Sequence, residues 1–569
     1  MDRNMLLAFA LSMAVITVYT MTTERPSPVE ETVAAESTAP AGTDAAAESQ
    51  TAAGSGAASQ AAVTPPDEAS GTPSAQQAPG AFRELPVWRR TFEGEKFRAE
   101  LTNRGGGLLH YALLEYEEWS PQGDVPVDLV NGENGQDVVG TGVFESLGLG
   151  DLSEAHFGIE RESAYGVTFV LERGGLTVRK QWTFDPDGYD FDLAITIANN
   201  TGHVVHTRLP FSWPATARET PEYKSLALVA RHDGTVDRVP IPSVGSSGFL
   251  GFGGHEPGPL NEADVEWFGV ETQYFVGVLA PTRTSGIDVE FVPLEKGKHA
   301  AAVSRFAQAL ALPSGQSVTQ EMRGFIGPKL DDELESFGAN LVTSINRGYS
   351  WLAPLVRFFE WLLTVLYSIV PNYGVAIIIL TILVRVATLP IVQRQMKSME
   401  KMRLVQPRMK ELQEKFADDR ERLSQETLKL YKETGANPLS GCLPMLLQMP
   451  VFIGLFYALQ SSIELRHAPF MLWMNDLSAP DMLFVIPGLE IPFRVLPVLM
   501  AASMVLQAKL APTSPDPQQA QMMMTVMPIM MLVLFYQFPS GLVLYYTLSN
   551  FLGIAHQRWV GRNLQPAQE

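Results

Sequence analysis

The sequence predicts a polytopic α-helical membrane protein with six transmembrane helices, five of them forming a core, and a large β-sandwich outside the membrane. Three observations predict it. Apolar runs of roughly 17–23 residues, the length a bilayer requires, recur through the second half of the chain. Charge divides the 569 residues: 1–346 hold 23 Lys+Arg against 47 Asp+Glu, and 347–569 hold 19 against 15. Two solvents are the simplest cause of such an asymmetry. Residues 84–335, finally, alternate apolar and polar side chains between turn signals. The acidic first half argues against nucleic-acid recognition, which needs a basic footprint. Cys442 is the single cysteine, so neither an internal disulfide nor a cysteine-based zinc site is available.

Met5 to Met21 is apolar and bounded by Arg3 and Glu24-Arg25. It reads as an uncleaved signal-anchor (1–23). The alternative, a cleaved signal peptide, lacks an Ala-x-Ala-like site before Glu24. Residues 24–83 are rich in Ala, Ser, Thr, Pro, Gly and Glu and read as a disordered linker, because too few large apolar side chains are present to build a core. Strands are expected at 96–102, 166–172, 176–184 and 189–197, ended by Asn103-Arg-Gly-Gly-Gly, Asp185-Pro-Asp-Gly and Asn199-Asn-Thr-Gly. The histidines of this region (His110, His156, His203, His206, His232, His255 and His299) have no metal-ligand spacing. No metal, cofactor or catalytic residue is expected, and the chain does not read as an enzyme.

Residues 336–371 read as a connector and an amphipathic helix at the membrane surface; the competing reading is a full span, which would need an almost loopless hairpin with the next one. Arg357 and Glu360 interrupt its apolar run, and Tyr349, Trp351, Trp361 and Tyr367 suit the headgroup level. Pro371-Asn-Tyr-Gly precedes a span at about 372–394 that contains Arg385. At ~1.5 Å per residue, Arg385 lies about 18 Å from the outer end and about 12 Å from the inner end. A charge there costs about 2.5–3.5 kcal/mol on insertion scales, which favours a water-filled cavity beside it. Arg394, Lys397, Lys401, Arg403, Arg408 and Lys410 follow, so this side is cytoplasmic. The β domain is therefore outside, and both termini are inside.

Residues 396–434 read as a cytoplasmic helical hairpin. Met402, Val405, Met409, Leu412 and Phe416 repeat at 3, 4, 3, 4; Pro407 kinks the first helix, and the second runs from about Glu421 to Glu433. Further spans are expected at about 438–460, 491–508, 522–538 and 541–559, completing a core at 372–562 before a short tail at 563–569. Met522, Met523, Met524, Met527, Met530 and Met531 give the penultimate span an adaptable apolar surface, or serve as lipid-facing filler. Thr381, Gln448, Tyr545, Tyr546, Asn550 and Gln557 are polar groups at membrane depth that would share the cavity with Arg385, or satisfy helix–helix hydrogen bonds.

Several stretches together resemble the YidC/oxidase-assembly insertase family: Ile378-Ile-Leu-Thr-Ile-Leu-Val-Arg385, Asn437-Pro-Leu-Ser-Gly-Cys442-Leu-Pro444, Leu447-Gln-Met-Pro450, Phe470-Met-Leu-Trp473 and Phe538-Pro-Ser-Gly-Leu-Val-Leu-Tyr-Tyr546 with Ser549-Asn550. They occur in the family's order over about 345–562. The resemblance implies a multi-pass protein of the bacterial inner membrane whose periplasmic domain is a β-supersandwich. It implies a groove open to cytoplasm and lipid, with Arg385 on its wall, through which membrane proteins are inserted, folded and assembled, alone or with the Sec translocon. Implied partners are nascent integral membrane proteins, the Sec translocon, the ribosome, the signal recognition particle receptor and the lipid bilayer. The segment 563–569 is not basic, so tail-mediated ribosome binding is not expected. A small-solute or anion transporter using Arg385 is the alternative, although the paired broken helices of such transporters are not evident. A periplasmic sugar enzyme is a second one.

Overall fold

The computed structural model describes residues 86–563 apart from 119–124, 131, 133–137, 141–142, 145–149, 217–224, 242–257, 260–264, 283–286, 296–300, 417–418, 435–442, 488–490 and 511–521. The expected anchor (1–23), linker (24–83) and tail end (564–569) lie outside the described residues.

Strict alternation builds the β domain. In the strand Leu176–Phe184, residues 176, 178, 180, 182 and 184 point inward; in Asp190–Asn199, Phe191, Leu193, Ile195 and Ile197 do so. The two pair antiparallel at the centre of a nine-stranded sheet. The turns before and after this pair use glycine in the left-handed region, with φ 78° at Gly175 and 84° at Gly202. Two four-stranded antiparallel sheets cover this sheet. One begins with Arg89–Glu93, Phe97–Thr102 and Gly107–Glu118; its stacked Phe97 and Tyr111 meet Phe184 and Phe191. The other contains Val205–Thr216, whose Phe211 meets Phe268 edge-on at 6.3 Å. The result is a sandwich with an aromatic core, as the alternation predicts.

Lys180 occupies one of the inward positions. It is 1% exposed, donates to the carbonyls of Gly105 (2.6 Å) and Gly140 (2.8 Å), and lies 4.9 Å from the Phe157 ring centroid. Burial pushes its ammonium down to about 7. Between about pH 7 and 10.5 the unfolded chain holds this proton and the folded chain does not, so stability rises with pH across that window. The contribution is at most about 1.4 kcal/mol per pH unit. Lys180→Met in the full chain is expected to flatten this slope, measured as hydrogen-exchange protection of the strand at pH 7 and 9. An unchanged slope contradicts it.

Eight α-helices follow among the described residues: α1 (Asp331–Phe337), α2 (Ala353–Ile369), α3 (Tyr373–Lys415), α4 (Arg420–Thr434), α5 (Leu443–Ser461), α6 (Val495–Leu510), α7 (Met527–Phe535, preceded by a π-turn over Met522–Val526) and α8 (Ser540–Asn563). Among the described residues only Tyr373–Gln393 is a helix long and apolar enough to cross a membrane; Val495–Leu510 and Met524–Phe535 are shorter apolar helices.

Three local expectations change. The span with Arg385 and the first arm of the hairpin are one 43-residue helix, α3, with Pro390 and Pro407 inside it. Residues 375–415 contain no glycine, and Asn372 caps the start by accepting from the Val375 N–H at 3.0 Å. Of the expected seam, Val405 and Met409 contact Leu430, with Leu412 and Tyr431 against them; the Met402 side chain lies outside the described residues. The segment from Ile491 begins as a strand, Ile491–Phe493 paired with Phe484–Ile486, and the helix starts only at Val495. There the Asp481 carboxylate accepts from the N–H groups of Val495 (2.8 Å) and Leu496 (3.0 Å). Lastly, Glu360, read only as a break in the apolar run, has a structural partner. It pairs with Arg347 at 2.9 Å and accepts from the Ser461 hydroxyl at 2.7 Å, tying α2 to α5 and to the connector, because buried Arg347 needs the charge. Arg357 remains exposed.

Candidate functional site: an arginine clasped by the last helix

Helix α8 packs against α3, α5 and α6, and so brings the polar groups of four helices together. Tyr545, Ser549, Gly553 and Gln557 lie four residues apart along it and share one face. Arg385 of α3 reaches this face. Its Nε donates to the Ser549 hydroxyl at 2.9 Å and its Nη2 to the Ser549 carbonyl at 2.6 Å. A helix carbonyl can accept a second donor, since its oxygen has two lone pairs. At Gly553, an added Cβ would lie 3.6 Å from both Arg385 Nη2 and Gln507 Nε2, an ordinary contact, so this position borders the guanidinium and has room for a small side chain.

The network extends through Tyr545, whose hydroxyl is hydrogen-bonded to Ser549 and accepts from Gln448 Nε2 at 3.1 Å. Polar groups on α5, α8 and α3 are thus linked in series. On the adjoining face of α8, Asn550 Nδ2 donates to the Ser503 hydroxyl of α6 at 3.0 Å. Gln557 Oε1 is buried without a hydrogen-bond partner among the described residues.

Of the seven residues expected from the sequence, Arg385, Gln448 and Tyr545 join one network, and Asn550 and Gln557 lie on the same helix. Two differ in character. The Thr381 hydroxyl is buried and donates to Ile377 O of its own helix at 2.6 Å, the local bond a threonine makes in an apolar helix. Tyr546 packs edge-on against Phe452 (4.8 Å) and Phe535 (5.0 Å), in an aromatic cluster. Ser549, not among the residues expected at the site, is the one that holds Arg385. The four-residue spacing from Tyr545 to Gln557 is the available signal for it.

Among the described residues no carboxylate pairs with Arg385. Serine supplies hydrogen bonds and no counter-charge, so this contact leaves the guanidinium's charge unneutralised. The clasp fixes where that charge sits.

Comparison with known proteins gives concordant results. Residues 365–567 match a family model described as 60Kd inner membrane protein, and residues 89–362 match one described as YidC periplasmic domain. A membrane protein insertase YidC of Syntrophus aciditrophicus (strain SB) is 33% identical, covering 99% of this chain and all of the relative. One of Pasteurella multocida (strain Pm70) is 33% identical over 84% of this chain and 86% of its own. Among solved structures, an active YidC insertase crystal structure is 18% identical with a TM-score of 0.34, covering 83% of this chain and 92% of that one.

Proposed function

Since the chain belongs to the YidC membrane protein insertase family, we infer that it inserts nascent membrane proteins into the bacterial inner membrane along a wet groove walled by α3 and α8. The β-rich region is the family's periplasmic domain. A transporter gains no support from the relatives.

The observation that carries the groove reading is the guanidinium of Arg385, held by Ser549 within an apolar helix and without a carboxylate partner. A hydrophobic client segment slides along the lipid-facing helices. Its polar or acidic outer flank rests near Arg385, which lowers the cost of taking that flank out of water. Burial of the client span, at about 25 cal/mol per Å² of apolar area, completes transfer.

In this reading the chain crosses the membrane six times, with both termini cytoplasmic. The first crossing is 1–23, and the core crossings fall at about 372–394, 438–460, 491–508, 522–538 and 541–559. Helix α2 lies on the outer surface; its exposed Trp361 and Ile369 suit that position. Residues 24–83 tether the periplasmic domain to the first crossing. The hairpin of α4 and the end of α3 offers its charged faces to cytoplasmic partners; the ribosome and the signal recognition particle receptor are the proposed ones, and the Sec translocon the proposed partner in the membrane.

Reconstitution tests this. The purified full chain in liposomes is expected to convert a small hydrophobic client to a protease-protected, membrane-spanning form. No gain over empty liposomes contradicts the reading.

A further inference from the structure

The loop joining α5 to α6 exposes an unusual amount of apolar surface. Met471, Leu472, Met482, Leu483, Phe484 and Val485 are all exposed, from 47% at Leu483 to 79% at Leu472. Leu472 holds φ 58°, a left-handed backbone that a branched side chain rarely adopts. The two runs are joined, because Trp473 Nε1 donates to Asp481 Oδ2 at 3.1 Å. The short hairpin is stiffened by Phe484 stacked on Phe493 at 5.2 Å.

The same segment carries few charges. Between Ala468 and Phe493 they are Asp476, Asp481 and Glu490, the last outside the described residues. Asp476 accepts from the Ser478 N–H (2.8 Å) and hydroxyl (2.7 Å). Asp481 is buried on Trp473 and on the first N–H groups of α6. Contiguous apolar surface of this kind marks a membrane or a protein contact. Its setting distinguishes the two. The second strand ends at Phe493 and α6 begins at Val495, whose exposed Val498 and Leu499 continue the apolar surface into the bundle. A surface continuous with the exposed apolar face of α6, a helix read as a crossing, matches acyl chains.

We propose that this loop enters the outer leaflet of the bilayer and seats its apolar side chains among the acyl chains, as a second membrane contact beside the crossing helices. The side assigned rests on the six-crossing reading. The loop anchors the outer end of α6 next to the polar network and leaves the groove's cytoplasmic end unaltered.

Nitroxide accessibility tests this in the full chain, with Cys442→Ser as background, in vesicles of phosphatidylethanolamine and phosphatidylglycerol. Labels go on Leu472→Cys and, separately, Val485→Cys. Val386→Cys on the exposed face of α3 is the lipid reference, and Ser317→Cys in the β domain is the water reference. Collision with oxygen is expected to exceed collision with a water-soluble nickel chelate several-fold at both loop positions, as at Val386. Nickel access equal to that at Ser317 overturns the proposal, because the loop is then in water. Protection from both reagents also overturns it, because protein then covers the loop. Nickel access at Val386 itself overturns the crossing reading as well, whereas lipid at Val386 with water at the loop rejects this proposal alone.

Discussion

Arg385→Ala is expected to slow insertion of clients with acidic outer flanks about tenfold or more, and of otherwise identical neutral clients far less. A hydrogen bond to a charged group contributes about 1.5–3 kcal/mol, and about 1.4 kcal/mol of barrier is a factor of ten in rate. The alanine variant loses that interaction with a client carboxylate, while the apolar sliding surface remains. Arg385→Lys should fall between the two. An ammonium carries the charge but lacks the fork that bonds both the hydroxyl and the carbonyl of Ser549, so the charge is less well placed. The measurement is the insertion rate in liposomes for a client pair differing only at the flank. Equal slowing of both clients removes the charge role.

Glu271→Ala is expected to destabilise the periplasmic domain by about 3–5 kcal/mol, the usual cost of breaking a buried ion pair from one side. Glu271 holds two cations: Lys329 Nζ at 2.9 Å and Arg238 Nε at 2.8 Å, with the Lys329 and Glu271 side chains only 5% and 8% exposed. Removing it leaves both without a counter-charge, held only by the carbonyls of Thr272 (Lys329) and of Thr343 and Ser344 (Arg238). Lys329→Met should cost much less, because it removes the buried ammonium and leaves Glu271 paired with Arg238. The site lies just before α1, where the strands Trp267–Glu271 and Ser317–Pro328 approach the connector to the membrane helices. Hydrogen exchange of the full chain over Phe275–Pro281 reports the local opening directly. Equal losses in the two variants contradict the asymmetry.

How much was legible depended on how local the cause was. The strand Leu176–Phe184 was predicted at its observed bounds, because alternation and the Asp185-Pro-Asp-Gly turn are contained in the same few residues. The same alternation places Lys180 inside, a consequence left undrawn in reading the strand as ordinary. Arg385 was legible from its depth in an apolar run. The start of α6 was not, because its cap is Asp481, fourteen residues upstream, and because three-residue strands inside an apolar segment look like the beginning of a span. Ser549 lies 164 residues from Arg385, so only the packing of α8 on α3 reveals the clasp. Thr381 and Tyr546 were grouped with the network by depth alone. Depth does not tell a polar group that faces a cavity from one that bonds its own helix or packs among rings.

The central claim is that the α8 face around Arg385 is wet from the cytoplasm. Cysteine accessibility tests it most directly. In a Cys442→Ser background, Asn550→Cys and Gly553→Cys are exposed to a membrane-impermeant thiol reagent in sealed vesicles of each orientation, with Val386→Cys as the lipid-facing reference. Labelling of both α8 positions is expected from the cytoplasmic side only, and none at Val386. Labelling from the outer side, or α8 positions as unreactive as Val386 from both sides, contradicts it.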